Sequence, residues 1–126
     1  MEKEARTILN VLDCPDGELS ILIVDDARIE VLNKKYLSRS GPTNVIAFPM
    51  REGGFSDINP QLLGDVVISI ETAHRESKEA DINLEKRFTQ LLVHGILHLF
   101  GYDHEKTEQE AFKMEKKSNE IIELLK

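Results

Sequence analysis

"LLVHGILHLFGYDHE", residues 91–105, decides how this chain is read, because it holds His94, His98 and His104, three of the chain's 4 histidines. His98 follows His94 by four positions, so on a helix the two imidazoles sit one turn apart on the same face and their nitrogens can converge. Around them Leu84, Phe88, Leu91, Leu92, Gly95 and Leu99 recur at helical spacing, which predicts one long helix. Gly101 can end that helix in the left-handed conformation other residues resist, and Tyr102 and Asp103 then carry the chain round so that His104 can approach the same point. Three nitrogen donors with no obvious fourth are the pattern of a catalytic zinc site, which keeps one position open. An H-x-x-x-H pair alone is often two packed histidines; the third imidazole and the helix-stopping glycine favour metal binding, with one Zn2+ per chain held by His94, His98 and His104.

Working outward, Ala5, Ile8, Leu9 and Leu12 predict an opening helix that stops before the turn "CPDGE". "LSILIVD", residues 19–25, reads as a strand. Asp25 or Asp26 can cap a second helix with Ile29, Leu32 and Tyr36 on one face, broken at "SRSGP". "NVIAFPM" predicts a strand that stops near Pro49, at a sheet edge or strand end. Residues 51–64 are polar and turn-rich and are expected to form a mobile loop before a short strand at residues 65–70. Helical spacing resumes near Glu71, pauses at "DIN", and returns after "TEQE", residues 107–110, which has capping-box spacing. His74, on a charged segment, is expected to be exposed. The whole predicts one α+β domain over residues 1–126: a small mixed β-sheet packed with helices, and a long central helix bearing the histidines of a zincin-like ligand cage.

Composition narrows the function. The chain has 126 residues, 40% apolar and 31% charged, the balance of a globular protein in water, and no apolar run long enough to span a membrane. A charged N-terminus without an apolar signal segment and a single cysteine, Cys14, make the cytoplasm the expected location. The formal charge of -7 argues against a general phosphate-binding surface without forbidding a local site. The clusters Lys34, Lys35, Arg39 and Lys113, Lys116, Lys117 read first as solvated faces.

The histidine spacing, glycine included, is that of the long metzincin signature H-E-x-x-H-x-x-G-x-x-H. Here the second position is Gly95, so the ligand set is that of a peptidase while its usual general base is missing. A residue this small either lets another chain approach the metal closely or leaves room for a bulky substrate.

"HGILHLFGYDH" resembles the H-G-x-L-H-L-x-G-Y-D-H motif of the YbeY family of bacterial endoribonucleases and ribosomal RNA maturation factors, and "PTNVIAFP" at 42–49 and "LGDVVIS" at 63–69 agree with it. The resemblance runs from about Glu18 to the C-terminal helix. It implies a metal-dependent, single-strand-specific endoribonuclease acting in ribosomal RNA maturation and ribosome quality control, with single-stranded RNA and the small ribosomal subunit or its associated proteins as partners. The family usually begins with a strand before its first helix, so the sheet here is expected to lack one edge strand. It commonly carries an arginine, assigned to phosphate handling, just after the tyrosine that precedes the "PTNV" block. That position is Leu37 here, and Arg39 is the candidate to bring a guanidinium into the cleft, with His94 as the catalytic histidine. Asp103 is expected to support the site by orienting a ligand histidine or fixing the turn, and Asn44 and Asp65, which flank strands expected near the cleft, to be capping or turn residues. Two rival readings are a zinc peptidase drawing its base from Asp103 or Glu105, and a non-catalytic, metal-stabilised ribosome assembly factor.

Overall fold

The computed structural model describes residues 2–50, 62–103, 105 and 107–125. Along the chain these form α1 (Glu2–Val11), β1 (Glu18–Val24), α2 (Asp26–Leu37), β2 (Val45–Pro49), β3 (Leu62–Ser69), α3 (Ile70–Glu79), α4 (Leu84–Leu99) and α5 (Glu108–Leu124). The arrangement is α+β, as expected. Most of the loop expected at 51–64 lies outside the described residues, but its last residues, Leu62 to Gly64, belong to β3. That correction has a cause. Leu62 pairs with Glu18 and Gly64 with both Leu19 and Pro49, so sheet partners from either side extend a strand that periodicity alone starts at Asp65.

The described sheet has the order β1-β3-β2, with β1 parallel and β2 antiparallel to the central β3. Pro49, which has no N–H to donate, is tolerated because β2 is an edge strand of this sheet. Strand alternation sends Val66 and Ile68 into the main core with α1, α4 and α5, and Val67 into a smaller one with Ile29 of α2 and Ile46. Gly64 adopts φ +140° where β2 passes so close that a Cβ would collide with the Phe48 carbonyl oxygen, so only glycine fits that register.

Two polar devices set the helices. Asp25 caps α2 by accepting from the Arg28 N–H at 2.8 Å, which decides between the two aspartates. Asp26 instead ties α2 to α3. Its carboxylate accepts from Ser69 Oγ and Thr72 Oγ1, both at 2.6 Å, and from Arg75 Nη1 at 2.8 Å. The Ser69 and Thr72 hydroxyls, then the Arg75 guanidinium, hold the Asp26 carboxyl down at about 2.

The central helix is α4. Leu91, Leu92, Val93, Gly95, Ile96, Leu97 and Leu99 are all buried against β2, β3 and the other helices. With each fully buried Leu, Ile or Val worth roughly 1.5–3 kcal/mol, packing holds this helix in place far more firmly than its own propensity would. No described helix is long and apolar enough to cross a membrane.

Candidate active site

Between Leu91 and Leu99 only His94 and His98 are not buried, so the polar face of this last, enclosed half of α4 is its pair of imidazoles. Their Nε2 atoms lie 3.0 Å apart and the rings meet edge to face, with centroids 4.6 Å apart. The helical spacing therefore does what it predicts, and aims two nitrogens at one point. His104 lies outside the described residues, and among those described no group of three His, Cys, Asp or Glu side chains converges.

Backbone hydrogen bonds close the turn that follows α4. The Gly101 N–H donates to the His98 carbonyl at 3.0 Å and the Tyr102 N–H to the Leu97 carbonyl at 3.2 Å, with Gly101 at φ +93°. This pair of bonds is a Schellman ending, and it needs a residue content with positive φ at Gly101. Asp103 Oδ1 then accepts from the Glu105 N–H at 2.8 Å, so Asp103 fixes the turn around position 104, one of the two roles expected of it.

Gly95 answers the question its position raises. A Cβ there would lie 2.6 Å from Val66 Cγ1 and 3.2 Å from Val45 Cγ2, so the missing side chain is what lets α4 lie down on the sheet. Any side chain at 95 would press into β2 and β3. The close neighbour is this chain's own sheet, a packing reason outside the two uses expected of this glycine.

The imidazole pair opens on a cleft of about 490 Å³ between the sheet edge and the end of α4. Leu37, Arg39 and Asn44 line it on one side, and Tyr102, Asp103 and Glu105 on the other. Arg39 thus reaches the cleft, where its Nη2 meets Glu105 Oε2 at 3.4 Å with both side chains more than half exposed. An ion pair so solvated is worth roughly 0–1 kcal/mol, and the guanidinium is free to exchange its carboxylate for a phosphate. Leu37, 41% exposed, also lines the cleft. Asp65 does not: it points to the other face of the sheet, into a groove with Leu22, Arg28 and Tyr36. Nor is it the capping or turn residue expected: it lies within β3, paired with Ser20 and Phe48, and strand alternation turns it away because its neighbours Gly64 and Val66 face α4. His74 is exposed, as expected.

Asn44 is the residue whose setting the sequence concealed. Its amide donates to both oxygens of Glu76, at 3.3 and 3.2 Å, and Arg87 grips the same carboxylate through Nε at 3.1 Å and Nη2 at 2.9 Å. These three residues come from the start of β2, from α3 and from α4. No local pattern links them.

The donor set suits a late divalent ion. Two half-buried imidazoles with Nε2 atoms 3.0 Å apart are close to the roughly 3.3 Å edge that a tetrahedral ion with nitrogen bonds of ~2.0–2.1 Å requires. Arg39 is also the only lysine or arginine among the described lining residues, beside the carboxylates of Asp103 and Glu105. A polyanion entering this cleft would need more positive charge than Arg39 supplies.

Comparison with known proteins agrees with the geometry. The family model described as Endoribonuclease YbeY matches residues 1–126. Endoribonuclease YbeY of Syntrophotalea carbinolica is 52% identical over 123 residues, which cover 97% of this chain and 82% of that protein. The protein of the same name from Geobacter sulfurreducens is 52% identical over 126 residues, covering 99% and 84%. That of Aquifex aeolicus is 43% identical over 127 residues, covering 99% and 81%. The solution structure of TM1509 from Thermotoga maritima matches with a TM-score of 0.67 at 25% identity, over 97% of this chain and 76% of that one.

Proposed function

This chain belongs to the Endoribonuclease YbeY family, and from that premise we propose that it is a zinc-dependent endoribonuclease that cuts single-stranded RNA in ribosomal RNA maturation, in the cytoplasm and on or near the small ribosomal subunit. The observation that carries the reading is one cleft lined both by the converging His94 and His98 nitrogens and by the solvated Arg39 guanidinium.

His94, His98 and His104 would hold the ion. When bound, zinc supplies Lewis acidity, drawing electron density from a phosphoryl oxygen and making water a better nucleophile near neutral pH. The chain's own residues do the rest. Arg39 leaves Glu105 and offers paired N–H donors to the non-bridging oxygens of the scissile phosphate, where negative charge grows during cleavage. Because the contact with Glu105 is solvated and weak, little free energy is lost when the guanidinium leaves it for a phosphate. The helix that carries His94 and His98 is locked by burial on its other sides, so the nitrogens need little reorganisation to meet their ligand.

The peptidase alternative loses support from Gly95. The position that carries the general base in metzincins here faces Val66 and Val45, so a carboxylate could not be placed beside the metal from it. The assembly-factor alternative rests on Leu37, an apolar side chain lining the cleft where the family's usual arginine is expected. One assay decides among the three: a labelled single-stranded RNA and an unfolded protein, each incubated with zinc-loaded protein and with a chelator-treated control. Cleavage of the RNA alone, abolished by chelator, is expected. Proteolysis would favour the peptidase, and RNA binding without cleavage the assembly factor.

A further inference from the structure

We infer that Asn44 is a specificity-determining residue of this cleft and accepts a hydrogen bond from a ribose 2′-hydroxyl of the bound strand. The inference rests on the endoribonuclease reading and adds to it how a ribose is told from a deoxyribose. A carboxylate only accepts, so the bonds to Glu76 Oε1 and Oε2 require the Asn44 amide nitrogen to face Glu76 and leave its carbonyl oxygen at the other end. No buried side-chain nitrogen or oxygen among the described residues lacks a partner, and the Asn44 side-chain oxygen has none among them, so that oxygen is reached by solvent, and Asn44 is one of the residues that line the cleft.

That oxygen is held rigidly. The Ser69 N–H donates to the Asn44 backbone carbonyl oxygen at 2.9 Å and so seats the residue, Glu76 holds its amide nitrogen, Arg87 clamps Glu76, and Gln90 accepts from Arg87 Nη1 at 2.8 Å. The ion pair of Arg87 and Glu76, with both side chains largely covered, also cancels the Glu76 charge. The cleft therefore carries a fixed, uncharged acceptor on the same lining as its imidazoles. An acceptor without negative charge is what a polyanion tolerates, and it selects a donor. Every ribose offers one at its 2′-hydroxyl whatever the base, whereas DNA does not.

The test uses zinc-loaded protein and a labelled single-stranded RNA, together with copies in which one ribose at a time is replaced by deoxyribose. Wild type is expected to lose about tenfold in cleavage at one such position, the weight of one hydrogen bond. Asn44→Ala should lose about tenfold on the all-ribose strand and nothing more at that position, with zinc content and thermal stability near wild type. Glu76→Gln, which loosens the clamp but keeps Asn44, should weaken the same dependence while other positions stay unaffected. Equal losses by Asn44→Ala on every strand, or no loss at all, would overturn the assignment while leaving the endoribonuclease reading intact. Failure of wild type to cut the all-ribose strand would remove both.

Discussion

Gly95 and Val66 are in such close contact that a Cβ on the glycine would lie 2.6 Å from Val66 Cγ1, and Val66 is fully buried. The sheet and the histidine-bearing helix are thereby held at a spacing only glycine allows, and the direction of His94, one residue earlier, depends on it.

Gly95→Ala should therefore destabilise the protein. Replacing a helical glycine by alanine gains about 1 kcal/mol in propensity, but overpacking a closed core costs typically 1–3 kcal/mol, and the buried Val66 has nowhere to retreat. Urea unfolding of Gly95→Ala and of Gly95→Ala combined with Val66→Ala separates the terms. The substitution should be less harmful, or favourable, where Val66 has been shortened. The same cost in both backgrounds would refute the steric account.

Purified protein should carry about one zinc per chain, and His94→Ala, His98→Ala and His104→Ala should each lose it, as elemental analysis can show without any activity assay. His74→Ala should retain the metal. If His104→Ala binds zinc as wild type does, the three-histidine set is wrong.

Arg39→Ala should lower RNA cleavage by ~10²–10³, the usual loss for a preorganised donor to developing charge, with fold and zinc content unchanged. Leu37→Arg should raise activity, because Leu37 already lines the cleft and a longer cationic side chain would add attraction for phosphate. Equal rates for wild type and Arg39→Ala would reduce Arg39 to a turn residue.

Asp26 makes stability sensitive to acid. Its carboxyl is held at about 2 in the folded chain against 3.8 when free, so it contributes stability that is fully present above about pH 4 and is lost as pH falls towards 2. Denaturant midpoints measured between pH 5 and pH 2 should fall for wild type and fall less for Asp26→Asn. Asp26→Ala, which strips the buried Ser69 hydroxyl of its acceptor, should cost about 1–3 kcal/mol at neutral pH. Parallel midpoint curves for wild type and Asp26→Asn would contradict this account.

Much of this protein is written locally. Helical periodicity placed His94 and His98 on one face, Gly101 stopped the helix where its φ of +93° requires, and Asp103 held the following turn, because each depends on residues a few positions apart. The approximate spans of the described helices and strands were legible for the same reason. Other features needed the fold. The beginning of β3 was hidden because pairing with β1 and β2, not its own alternation, extends it to Leu62. Asp65 turned away from the cleft because alternation assigns faces only once the neighbouring residues are seated against α4. Asn44 became a fixed acceptor because Glu76 and Arg87, 32 and 43 positions further along the chain, fold back to hold it. The sequence by itself determined that His94 and His98 share one helix face, since helix geometry is a property of neighbours. Only the tertiary structure decided what faces them and why position 95 must be empty, since contacts across the core belong to residues that the sequence keeps far apart.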